Sequence, residues 1–213
     1  MDQFGDHALV CQCGGDRTVR HNAIRNCFFA DATDAGLNPE KEKVGLLPQR
    51  PSDDGLPGTS GARRPADVWL PRGDDGRGEA LDFACTSALR ADLMERVADN
   101  PSVVFDVYEN FKRSHNDTAR CCEAQGFSFT PMILEAHGGG WSRSARRVLT
   151  RVAKGVSAVW REGDEAASLR IAQRISISLH RENARAVLKR VPRPLPVMMD
   201  SGWGDAVALS TWQ

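Results

Sequence analysis

A chain of 213 residues with 41% apolar and 26% charged residues has the material for one sizeable domain, and this ordinary balance excludes a disordered or fibrous polymer. No apolar run approaches the roughly 18 residues a membrane helix requires, and no apolar signal core follows the acidic N-terminus, so a soluble, intracellular protein with no membrane partner is expected. Basic and acidic side chains balance at 28 each but are unevenly spread: residues 143–193 carry 13 Lys/Arg against 4 acids, and residues 1–142 carry 15 against 22. A basic segment beside an acidic one suits an enzyme that grips a polyanion with one part and a cation with the other; a solvated helical face is the plainer alternative.

The first 15 residues read as irregular. His7, Cys11 and Cys13 offer three metal-type ligands, whereas structural zinc takes four, usually as two pairs. Zn²⁺ is therefore one reading and an incidental polar N-terminus the other. The remaining cysteines, Cys27, Cys85, Cys121 and Cys122, fall in apolar or helical stretches and are expected as free thiols.

Residues 16–32 predict a helix whose core face is Val19, Ala23, Cys27 and Ala30, with Ile24 and Phe28 beside it; Gly36 and Pro39 end it. Arg17, Arg20, His21 and Arg25 make its first turns cationic, where the helix dipole favours acids. Phosphate contact and simple solvation both explain that. Residues 42–48 read as a short strand ending at Pro48, and 49–62 as a surface loop rich in Pro, Ser, Asp and Gly.

Two apolar stretches follow, 63–70 and 80–86, joined by a glycine-bearing turn, and each contains one acid: Asp67 and Asp82. As a hairpin they bring the two carboxylates to one spot, where they repel unless one is protonated or a cation lies between them. A hard divalent ion with oxygen ligands is the simplest partner. Both acids sit inside apolar strands, which argues against mere turn caps.

Residues 88–97 predict a short helix and 103–125 a longer one, on which Tyr108 and Lys112 share a face. Residues 127–136 read as a strand, with Pro131 pointing to an edge or bulge. The glycine turn from His137 to Trp141 lacks the lysine and spacing of a phosphate-binding loop. Two helices broken at Gly163 fill 142–191, and Pro192, Pro194 and Pro196 end them. The order helix, three strands, helix, strand, helical tail predicts an α/β fold around a mixed sheet. It divides into an N-terminal segment (1–15), a core (16–141), a basic helical extension (142–193) and a loosely ordered tail (194–213).

An α-β-β-β-α-β order with one acid on the second strand and another on the third resembles the PD-(D/E)xK nuclease superfamily, through Arg63-Arg64-Pro65-Ala66-Asp67 and Asp82-Phe83-Ala84, with 14 residues between the acids. Within it, residues 5–140 look most like the restriction-enzyme-like endonuclease domain of site-specific non-LTR retrotransposons. That domain has an Arg-His-Asn helix start, matched by Arg20-His21-Asn22, after a zinc knuckle. The chain departs in three places. Ala66 separates Pro65 from Asp67, and Ala84 stands where the in-strand lysine is usual. The knuckle shows only its closing half, the opening cysteines falling upstream of Met1, so a fragment or descendant of a longer element protein is expected.

The resemblance implies a restriction-endonuclease-like core and a metal-dependent DNA endonuclease, acting in the nucleus if on chromosomal DNA. Asp67 and Asp82, with the Phe83 carbonyl, would hold Mg²⁺ or Mn²⁺. Lys112 would replace the missing lysine from the following helix. Arg17, Arg20, His21, Asn22 and Arg64, with the basic helices after Trp141, would grip DNA. Glu42 is a candidate third acid, and Glu135 and His137 candidates to approach the site. The rival is a nuclease fold with a decayed site that binds nucleic acid or serves as a scaffold.

Overall fold

The computed structural model describes residues 9, 13–48, 64–138 and 140–190. Helix α1 (Asp16–Asp34) follows a 3-10 turn at Cys13–Gly15. Its buried stripe runs in steps of four through Asp16, Arg20, Ile24, Phe28 and Ala32, with Asp31 alongside. The face expected from the apolar periodicity is displaced: Val19 is exposed, and Ala23, Cys27 and Ala30 are only half-buried. The core stripe of α1 admits three ionic residues because their partners come from a helix far along the chain.

Strands β1 (Glu40–Lys41), β2 (Val68–Leu70), β3 (Glu79–Thr86) and β4 (Ser128–Glu135) form one mixed sheet in the order β1-β2-β3-β4. The first three are antiparallel neighbours, and β3 and β4 run parallel. The strand expected at 42–48 is instead the two residues of β1, because Glu42 and Gly45 take positive φ and break the extended chain there. The strand expected over 63–70 shortens to β2, with Asp67 immediately before it. Pro131 lies in β4, which is an edge strand, as a residue without an N–H requires.

Alternation gives the sheet two covered faces. Val68, Leu70, Leu81, Phe83, Met132 and Leu134 point to the main core, which they share with α1, α5 (Arg143–Trp160) and α6 (Asp164–Leu188). Trp69, Ala80 and Phe129 point the other way, into a smaller cluster with Cys122 and Phe127. The C-terminal helices are thus part of the core and not an appendage to it. Val148, Val152 and Val156 supply the buried stripe of α5, and Ile171, Ile175 and Leu179 that of α6; Val159, Leu169 and Ile177 are exposed.

Parallel pairing of β3 with β4 demands a crossover, which holds α2 (Met94–Asp99), α3 (Val103–Ser114) and α4 (Thr118–Ala124). Helix α2 starts later than the sequence pattern indicates. The single helix expected over 103–125 is two helices, because Asn116 and Asp117 both adopt φ 56 in a 3-10 turn between them. Asn and Asp tolerate that left-handed conformation better than other non-glycine residues. The kink turns α4 onto the smaller cluster and leaves α3 free to aim its last turn at β3.

Cys27, Cys85 and Cys121 are free thiols, and Cys122 is buried. Among the described residues no helix is long and apolar enough to cross a membrane. The loop 49–62, the tail 194–213 and the candidate zinc residues His7 and Cys11 lie outside the described residues, and of Cys13 only the backbone is described.

Candidate active site

The β2–β3 pairing runs from Leu70 opposite Glu79 to Val68 opposite Leu81, and Asp67 is the bend residue just before it. The Asp67 N–H donates to the carbonyl of Leu81 at 2.9 Å, the residue Val68 already faces, so the chain bulges out of register at Asp67. Asp67 and Asp82 thus lie at the same end of the hairpin, close enough for the charge of Asp67 to act on the Asp82 carboxyl.

Each acid has its own partners. The Phe83 N–H donates to Asp67 Oδ2 at 2.6 Å, and His21 Nε2 lies 3.2 Å from Asp67 Oδ1. Lys112 Nζ lies 2.9 Å from Asp82 Oδ2, delivered by the last turn of α3. Asp82 and Lys112 are similarly enclosed, with side chains 22% and 23% exposed.

These surroundings push the two carboxyls apart. Burial raises Asp67, but the bonds from His21 and the Phe83 N–H, with the charge of Lys112, outweigh it and hold Asp67 below the ordinary carboxylate range. Burial drives Asp82 up to about 6; Lys112 opposes this and the neighbouring Asp67 adds to it. Lys112 would be lowered by burial, yet its pair with Asp82 sets it above the ordinary lysine value. Divergent acids in one cleft are the pattern by which enzymes separate chemical roles.

Asp82 opens onto a cleft of about 290 Å³ whose walls also include Lys112, Arg64, His115 and Phe129. Among the described residues no group of three or more His, Cys, Asp and Glu side chains is placed to hold a metal ion. Mg²⁺ does not need such a cage: it takes one or two carboxylates and fills its shell with water and substrate phosphate oxygens. Two neighbouring carboxylates, one of them strained as an anion by the other, fit that donor chemistry.

The other expected residues divide. Arg64 is exposed on the cleft wall. Glu42 lies next to Asp67 through its N–H, which donates to the Asp67 carbonyl at 3.1 Å. Its carboxylate, however, is engaged by Arg25 and lies 3.8 Å from Arg64, so two guanidiniums hold it away from a third-ligand role. Arg17 is exposed in a neighbouring cavity of about 410 Å³, and Asn22 is half-buried.

Arg20 departs from its expected place at a DNA surface. It is 6% exposed, and it donates to Asn183 Oδ1 at 2.9 Å and the Leu9 carbonyl at 2.6 Å, which makes it a clamp between α1 and α6. Glu135 and His137 do not join the acids. The Glu135 carboxylate accepts from the N–H groups of Ala88, His137 and Gly138 and pairs with His137 Nδ1 at 3.1 Å, so it closes the turn after β4.

His21 is the residue whose role sequence reasoning misplaced: it faces Asp67 and not the solvent. The one signal was its position in Arg20-His21-Asn22, one residue on from a side chain that turns inward.

Compared with known proteins, the chain matches no protein-family model and no curated protein sequence.

Proposed function

We propose that the chain is a metal-dependent endonuclease of the PD-(D/E)xK kind, with a restriction-endonuclease-like core, that hydrolyses phosphodiester bonds in DNA. Descent from the endonuclease domain of a site-specific non-LTR retrotransposon is part of this reading, as is nuclear action on chromosomal DNA. The observation that carries it is the Lys112–Asp82 contact at 2.9 Å, with Asp67 close enough to act on Asp82. A lysine from α3 then stands beside the acids although β3 has Ala84 in the usual place.

Asp67 and Asp82, with the Phe83 carbonyl, would hold Mg²⁺ or Mn²⁺. Such an ion, when bound, polarises a phosphodiester oxygen and acidifies a bound water. The protein's own groups do the rest. Lys112 offsets negative charge at the reacting phosphate, where a preformed cation in a water-poor cleft is worth most. His21 and the Phe83 N–H fix the Asp67 carboxylate from two sides, so its orientation is set before substrate arrives. Arg64, at the cleft wall, meets the sugar–phosphate backbone.

The test is nicking of supercoiled plasmid. Wild-type protein nicks with Mg²⁺ and not with EDTA, Asp82→Ala abolishes nicking, and Lys112→Ala slows it by about 10²–10³-fold, the usual loss for one transition-state donor. A second reading, a decayed site that binds nucleic acid without cutting it, is favoured by one observation: an oxygen of each acid already has an internal cationic or imidazole partner. DNA binding with no nicking in either Mg²⁺ or Mn²⁺ selects that reading.

A further inference from the structure

We infer that the exposed face of α5 is a tracking surface for duplex DNA. The inference rests on the nuclease reading for the identity of the polyanion, but it makes its own claim about where that polyanion lies. Arg143, Arg147 and Lys154 recur along the helix at positions i, i+4 and i+11, with Arg146 beside them, and all four are exposed. They line a groove of about 590 Å³ together with Asp74, Thr150 and Arg151.

These cations are uncommitted. No hydrogen bond or ion pair joins the side-chain cations of Arg143, Arg146, Arg147 or Lys154 to any described residue. The acids near them are in the opposite condition: Asp74 and Glu79 are held by Arg151, and Asp75 by Arg77. The groove therefore keeps an unbalanced positive charge at no gain to the fold.

At one end the groove shares Asp74 and Arg147 with a depression that also holds Asp75 and Glu79, so the cationic stretch ends there. From Arg143 to Lys154 the helix rises about 16 Å at ~1.5 Å per residue. Phosphates on one DNA strand recur about every 3.4 Å along the axis, so this face spans roughly five base-pair steps. A narrow file of cations in a groove, spaced along one helix, fits the phosphates of a duplex better than the plane of a lipid surface.

The decisive measurement is anisotropy of a 30-bp labelled duplex on the full chain in EDTA, across a salt series. Arg143→Gln/Arg147→Gln/Lys154→Gln should weaken binding at least tenfold for any sequence and lower the log K versus log[salt] slope by about 3, close to 0.9 for each phosphate no longer neutralised. Arg181→Gln, an exposed cation on α6, should leave both unchanged. Unchanged affinity and slope in the triple variant overturn the inference, as does a loss confined to single-stranded RNA or to phosphatidylserine vesicles. Should the triple variant not fold, Arg147→Gln alone decides, with an expected slope change near 1. Binding that depends on α5 without Mg²⁺-dependent nicking leaves this surface standing and removes the nuclease reading. Nicking with an unaltered slope does the reverse.

Discussion

Asp82 is the least comfortable ion in the cleft, because burial and the neighbouring Asp67 both favour its neutral form. Its carboxyl titrates at about 6 in the folded chain against an ordinary 3.8. Above pH 6 both folded and unfolded chains are ionised here and the folded state bears the whole penalty. As pH falls from 6 towards 3.8 the folded state takes up its proton first and the penalty fades; below 3.8 none is left. Asp82→Asn should therefore raise thermal stability most at pH 7–8, by about 1–3 kcal/mol from two pKa units at ~1.4 each, less what Lys112 loses. The gain should vanish by pH 3.5, and a melting series over pH reads it directly. Saturating Mg²⁺ should raise the melting temperature of wild type and not of Asp82→Asn, since a ligand stabilises only the state that binds it. Asp67 and Asp82 were legible as the one acid in each of two apolar stretches, and Lys112 through the resemblance, which implies a lysine displaced onto the following helix. Arg20 and His21 were not, because the direction each faces depends on α6 and β2, which only the fold brings to α1.

At the scale of elements, the placement of α5 depends on one close approach. A Cβ on Gly155 would come within 2.8 Å of both the Cβ and the carbonyl oxygen of Ala35, just past the end of α1. Neither of those atoms lies on a flexible side chain that could swing aside. Gly155→Ala gains up to ~1 kcal/mol of helix propensity, but prising two packed helices apart costs about 1–3 kcal/mol. A net fall in the denaturant midpoint with an unchanged slope is expected; a rise would mean that α1 and α5 can separate freely. Element existence was readable for α1, β3, β4, α5 and α6, whose patterns are long. The kink at His115–Asp117 was not: its apolar periodicity runs on through Asn116 and Asp117, and only their tolerance of positive φ marks the break. That break sets the aim of Lys112, so the least legible turn governs the most consequential contact.

Over the whole molecule, the basic C-terminal third is not one surface. Helix α6 and the turn that ends it spend most of their cations inward, on acids of α1: Arg174 on Asp31, and Arg185, Lys189 and Arg190 around Asp16. Helix α5 keeps most of its cations outward. Charge counted along the chain cannot separate these uses, because the separation depends on which helix packs across α1. The consequence is testable at Asp31, which is fully buried and titrates at about 6; burial raises it and Arg174 holds it down. Arg174→Ala would drive Asp31 higher and strand a buried charge. Breaking such a pair costs several kcal/mol when both partners are enclosed, and the partial exposure of Arg174 reduces this to about 2 kcal/mol. At ~2–4 °C per kcal/mol for a chain of this size, melting should fall by about 4–8 °C at pH 8. The loss should shrink towards pH 4, where the folded state holds Asp31 protonated with or without Arg174. DNA affinity should stay within twofold of wild type throughout. A loss that is equal at pH 8 and pH 4 would show that Arg174 acts by packing alone; a drop in DNA affinity would return α6 to the binding surface and undo the division of labour between the two helices.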